Sequence, residues 1–348
     1  MPTNRVCLVS LVAVTVSVAG STGARPAWAG GGYHLAQKVP VDGAASYYDY
    51  LFVDEPARRL YVSFGGEVVV FDADKLAPAG RLTGLKKVHG IATGEGRVFV
   101  TDGEADQVRV FGAKDGKPIG EVKAGKNPDA ILFDPATKVV YAFNNHGAST
   151  TAFDATTLKV VATIELGGAP EFGRSDGKGM LWVNLEDKSE VVRIDTRKHM
   201  VSARFPLAPC EEPTGLAFDA KHRRLFVGCG NQKMAVLDAD SGHVITTLPI
   251  GPGVDATDFD PATGDIFNSC GGGAGSLVVI HQDGPDAYQV TEVLATQKRA
   301  KTLAVDHKKH RVFLTGGTFG PAPAPTPSQP KPRAPLVPGS FTVFVFEK

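Results

Sequence analysis

The stretch Pro213 to Gly251, PTGLAFDAKHRRLFVGCGNQKMAVLDADSGHVITTLPIG, decides the fold. Four short apolar runs, GLAF, RLFVG, MAVLD and VITTLPI, are separated by turn-forming clusters at Asp219 to His222, Gly228 to Gln232 and Asp238 to Gly242. Runs of this length bounded by Gly, Asn, Asp and Ser spell an antiparallel meander. One such meander cannot bury both of its faces, so it needs copies of itself on either side.

The opening phrase Pro213-Thr214-Gly215-Leu216-Ala217-Phe218-Asp219 recurs as Tyr48 to Asp54, Val88 to Ala92, Pro128 to Asp134, Pro170 to Gly173, Val254 to Asp260 and Ala300 to Asp306. The second residues of these phrases stand at 49, 89, 129, 171, 214, 255 and 301, giving steps of 40, 40, 42, 43, 41 and 46. A period of about forty residues with four strands per unit predicts an all-β, seven-bladed β-propeller.

The second strands read Leu60-Tyr61-Val62-Ser63, Val98-Phe99-Val100-Thr101, Val140-Tyr141-Ala142-Phe143-Asn144, Leu181-Trp182-Val183-Asn184, Leu225-Phe226-Val227-Gly228, Ile266-Phe267-Asn268-Ser269 and Val312-Phe313-Leu314-Thr315. This pattern resembles the YVTN-repeat family of bacterial propellers, including the periplasmic YncE-like proteins, over essentially the whole chain after residue 29. The resemblance implies the fold more than an activity: such families bind ligands, nucleic acid or partner proteins, and related propellers include lactonases.

Formal net charge is +0 over 348 residues, so nucleic acid is not the expected partner. Residues 1–29 read as a signal peptide: Arg5 gives a positive start, Val6 to Val18 an apolar core and Ala27-Trp28-Ala29 a cleavage site. That core is too short for a comfortable membrane span, and no transmembrane segment is expected elsewhere. The expectation is a periplasmic or secreted monomer, with residues 30–348 as one propeller domain.

Two orphan strands predict how the ring closes. Tyr33 to Val41 reads as a fourth strand without a preceding three, and Phe341 to Phe346 as a third without a fourth. Pairing them completes the last blade from both termini and removes the open edges. Within that blade the Pro-rich segment 316–338 replaces the turn between second and third strands and is expected as a solvated loop.

In such a meander, the blade-to-blade loops and the loops after second strands share one face, here called the upper face. The repeat-start residues Asp49, His89, Asp129, Glu171, Thr214, Asp255 and Lys301 are expected to ring the channel mouth there, with His146 beside them. Converging carboxylates raise one another's pKa or recruit a cation, and His89, Asp129 and Glu171 are the candidate ligands for one divalent metal ion.

Cys210, Cys229 and Cys270 map to the same rim. Cys210 with Cys229 is the first candidate for a disulfide, and Cys229 with Cys270 is the competing pair. The thiol left over raises soft metal ligation or a buried free cysteine.

Asp residues that recur after first and third strands read as turn formers, since a single active site is not repeated in most blades. Gly271 to Gly275 lacks the Lys-Ser/Thr ending of a phosphate loop, and no Gly-x-Ser-x-Gly elbow is present. The expected function is therefore binding or scaffolding of a small ligand, metal ion or protein partner on the upper face. The alternative is a metal-dependent oxidoreductase or lactonase-like hydrolase, with Asp49 or Asp255 as general base and Lys301 stabilising charge.

Overall fold

The repeated second strands are apolar at their centres and buried along almost their whole length because a neighbouring blade covers each of their faces. Val139–Asn144, Asp265–Cys270 and Arg311–Gly316 are buried at every position. In the outermost strands Pro78–Leu82 and Val160–Glu165 only one residue each, Leu82 and Ile164, is buried. Two-sided cover demands a continuous apolar run, and an exposed edge does not.

The computed structural model describes Met1 and residues 32–348, apart from positions 44, 327–329, 331 and 333. The segment read as a signal peptide, Cys7 included, lies outside the described residues except for Met1. Among the described residues there are seven four-stranded antiparallel sheets, six of them in chain order. The seventh takes three strands from Leu303–Asp306, Arg311–Gly316 and Thr342–Glu347 and its fourth from His34–Pro40. The fold is thus the seven-bladed propeller, closed by the N-terminal strand in its last blade.

The recurring aspartates shape turns, as expected. Asp72 accepts from the Lys75 N–H (2.9 Å), Asp154 from Thr157 (2.6 Å), Asp195 from Lys198 (3.0 Å) and Asp238 from Ser241 (2.9 Å). These Asx turns satisfy backbone donors where each third strand ends.

Cys210 and Cys229 form the disulfide, with Cα atoms 5.8 Å apart, and tie the loop entering blade five to the end of its second strand. Cys270 is free and buried, and burial pushes its thiol up to about 11. A neutral buried thiol is a poor nucleophile. With 19 positions between the bonded cysteines, replacing both by Ser is expected to lower stability by roughly 3 kcal/mol on the chain-entropy argument. Urea unfolding measures this, and an unchanged midpoint would contradict it.

The root of the Pro-rich insert is not a free loop. Phe319 bridges to Leu336, the Val337 N–H donates to Thr318 O (2.7 Å), and the Gly320 N–H donates to Pro335 O (2.8 Å). Leu336 is buried, and the Phe319 ring lies 5.9 Å from that of Tyr48. The insert is therefore anchored by apolar packing, which its proline content conceals.

Candidate functional site

The repeat-start residues reach the channel because the ladder breaks where they stand. In blade one the pairing jumps from Tyr48 with Phe64 to Leu51 with Val62, and blades two to five skip at the same place. Blade six has its irregularity between Val254 and Ala256. A bulge re-aims side chains that a regular strand would commit to its neighbours. The polar residue ending a second strand then fastens the next bulge: Thr101 Oγ1 donates to Asp129 O (2.6 Å) and Asn184 Nδ2 to Thr214 O (2.9 Å). Ser269 Oγ likewise donates to Lys301 O, while in the last blade Thr302, which precedes the first strand and lies 3.0 Å from Thr315 Oγ1, donates to Asp49 O (2.8 Å). The recurring motif thus has a physical task beyond strand formation, namely holding the mouth residues of the following blade.

All seven ring residues and His146 line one cavity of about 610 Å³. Within it Asp49, His89 and Asp129 form a tight cluster whose ligand atoms lie within 4.8 Å of one another. His89 Nδ1 is 2.6 Å from Asp49 Oδ2, 2.7 Å from the Tyr47 hydroxyl and 3.5 Å from Asp129 Oδ1, and Tyr47 also donates to Asp49. Asp49 and His89 are buried. His89 Nε2 is buried without a hydrogen-bond partner among the described residues. An unmet polar atom of this kind costs about 1–3 kcal/mol.

The remaining ring residues are engaged separately. Glu171 stands outside the cluster and accepts from Asn145 Nδ2 (2.8 Å), so Asp49 takes the place expected for Glu171. Lys301 Nζ pairs with Asp255 (3.1 Å), and Thr214 Oγ1 donates to Val254 O (3.1 Å). His146 is exposed on the short turn Asn145–Gly147.

Burial alone would raise Asp49, but the hydrogen bond from His89 and the Lys301 ammonium outweigh it and hold this carboxyl below its usual range. Burial, opposed by His89 and reinforced by Asp49, pushes Asp129 up to about 6. Burial and then Asp129 raise Glu171 well above the ordinary value, and burial raises Asp255 against the pull of Lys301. Burial would lower Lys301, yet Asp255 and Asp49 together raise it. The mouth thus holds carboxylates at different proton affinities within one small volume.

A folded pKa of about 6 at Asp129 exceeds the unfolded value of about 4, so the native state binds the proton more tightly across that window. The cost of this buried carboxylate is full above the folded pKa and fades as pH falls towards the unfolded one. In the metal-free protein Asp129→Asn is expected to raise Tm at pH 7 by roughly 2–4 °C per kcal/mol relieved, and to flatten the pH dependence of Tm between about pH 4 and 6. Melts in chelator at several pH values check this; parallel profiles for wild type and variant would contradict it.

Several lining residues escape the repeat-start reading. Tyr47, Lys87, Asn127 and Arg299 also line the cavity, each two positions before a ring residue. That constant offset was the available signal. Glu186 and Phe319 line it too, from the turn after a second strand and from the insert.

The opposite mouth opens into a larger cavity of about 820 Å³. Tyr50 lines both cavities, and its ring stands 4.7 Å from that of Phe172, dividing the channel. Among the lower charges Arg174 pairs with Asp258 (3.3 Å) and His307 with Glu55 (2.7 Å), while Arg97 donates to Ala155 O (2.8 Å). Volume favours the lower chamber, but the convergent His and Asp cluster is in the upper one.

The chain matches no family model and no curated protein. Among solved structures it is similar to a chain of the hydrazine synthase of Kuenenia stuttgartiensis, with TM-score 0.68 and 14% identity, covering 79% of this chain and 94% of that one. At that identity the likeness is one of fold.

Proposed function

We propose that this protein is an exported binding propeller of the YVTN-repeat type whose upper mouth holds one divalent metal ion on Asp49, His89 and Asp129. The rest of the mouth then receives a small molecule or partner. The observation that carries this reading is the convergence of one imidazole and two carboxylates from three consecutive blades, His89 and Asp49 buried and Asp129 half-buried. Adjacent donors around an ion with bonds of about 2.1 Å stand roughly 3 Å apart. The contacts at His89 Nδ1, 2.6 Å and 3.5 Å to the two carboxylates, bracket that spacing. A set of one nitrogen and several oxygens suits Mn, Fe or Zn more than a soft ion.

Export is supported by the signal-like residues 1–29 and by the Cys210–Cys229 disulfide, a bond that persists in oxidising compartments. Calorimetric titration of the chelator-treated protein with Mn²⁺ and Zn²⁺ at pH 7 tests the metal reading. About one ion per chain is expected; no binding of either ion would sink it.

A further inference from the structure

We infer that the upper mouth takes a second ligand, a small oxygen-rich anion of the carboxylate or phosphate class, which caps the metal ion and is held by Lys87 and Arg299. This rests on the metal site proposed above. Five carboxylates line the mouth, yet among the described residues neither Lys87 nor Arg299 forms an ion pair, whereas Lys301 is taken by Asp255. Each free cation is instead laid over an aromatic face: Arg299 is 4.2 Å from the Phe319 ring centre, and Lys87 Nζ is 4.9 Å from that of Tyr47. Such stacking positions a long side chain before a ligand arrives and lowers the cost of ordering it.

The backbone at Arg299 is fixed in place. Its φ of +68° is in the left-handed region, where a side chain of this size is uncommon. The conformation is fastened by its N–H donating to Gly271 O (2.8 Å) and by the Tyr48 hydroxyl donating to its carbonyl (2.8 Å).

Lys87 and Arg299 precede the ring residues of blades two and seven, which flank blade one and its ligand Asp49. A divalent ion held by Asp49, His89 and Asp129 is charge-matched by its own two carboxylates and keeps coordination positions open. The flanking cations have no carboxylate in contact, and an anion bound to the ion would give them one. Arg299 offers a planar fork suited to either a carboxylate or a phosphate.

The test is calorimetric titration of succinate, and separately of inorganic phosphate, into the purified protein with and without saturating Mn²⁺. Binding of at least one anion is expected only with Mn²⁺, and about tenfold weaker in Arg299→Ala and in Lys87→Ala. The arm that responds identifies the anion class. Mn²⁺ binding by the variants, measured first, shows that they are folded. Mn²⁺ binding with no response to either anion, or anion affinities equal in wild type and variants, overturns this inference alone. Failure of wild-type protein to bind Mn²⁺ or Zn²⁺ overturns the metal site and this inference together.

Discussion

Removing residues 33–41 is expected to open the ring and to lower the melting temperature by about 10 °C or more. The strand His34–Pro40 is the outermost of its blade and mostly exposed, so its value lies at its anchors. Tyr33, Val39 and Val41 are buried; the Tyr33 ring packs edge-on against Phe267 at 5.1 Å, and its hydroxyl donates to Asp265 (3.2 Å). Three buried side chains at about 1.5–3 kcal/mol each contribute on the order of 5 kcal/mol. That is comparable with the roughly 5–15 kcal/mol that holds a typical domain folded. Truncation also bares the edge of Thr342–Glu347, which pairs with the lost strand from Glu347 to Thr342. Limited proteolysis and thermal melts of the truncated chain measure the effect. Resistance and Tm equal to those of the intact protein would contradict closure as a source of stability.

The second large effect is expected at His89. Its replacement by Ala removes the only nitrogen donor of the cluster and should abolish stoichiometric metal binding. Gly103→Ala should weaken binding by about 10–100-fold without removing any ligand, as is usual when a supporting neighbour of a ligand is disturbed. A Cβ at residue 103 would stand 2.6 Å from His89 Cδ2 and 2.9 Å from Asn127 Oδ1. Carbon atoms do not approach so closely, so the imidazole must turn away from Asp49 and Asp129. Titration of both variants with Mn²⁺ reads this, and wild-type affinity in Gly103→Ala would show that the position of His89 is not what creates the site.

The architecture was legible because a propeller repeats its instructions. The steps of about forty residues located every blade, and Tyr33 to Val41 and Phe341 to Phe346 revealed the closure because each lacked partners within its own repeat. The same periodicity located the ring positions, since residues at equal repeat phase must share a height in the disc. Blade order also puts Asp49 and Asp129 on either side of His89 and Glu171 one blade further round, but how closely they meet depends on side-chain direction at a bulge, held by cross-blade bonds such as that from Thr302 to Asp49 O. Tyr47 and Arg299 were hidden for a related reason: they lie in connecting loops, where no hydrophobic alternation reports direction. Composition reported the exposed stretch 321–326 of the Pro-rich insert but not its root, where Phe319 and Leu336 pack.

The central claim is that Asp49, His89 and Asp129 hold a metal ion, and mass spectrometry of the metal content tests it most directly. The wild-type protein, purified without chelator, would be compared with His89→Ala and Asp129→Ala. The prediction is about one divalent ion per chain in wild type and near none in either variant. Wild-type protein without metal, even after reconstitution with Mn²⁺ or Zn²⁺, would contradict it and leave the upper mouth as a site for organic ligands or protein partners.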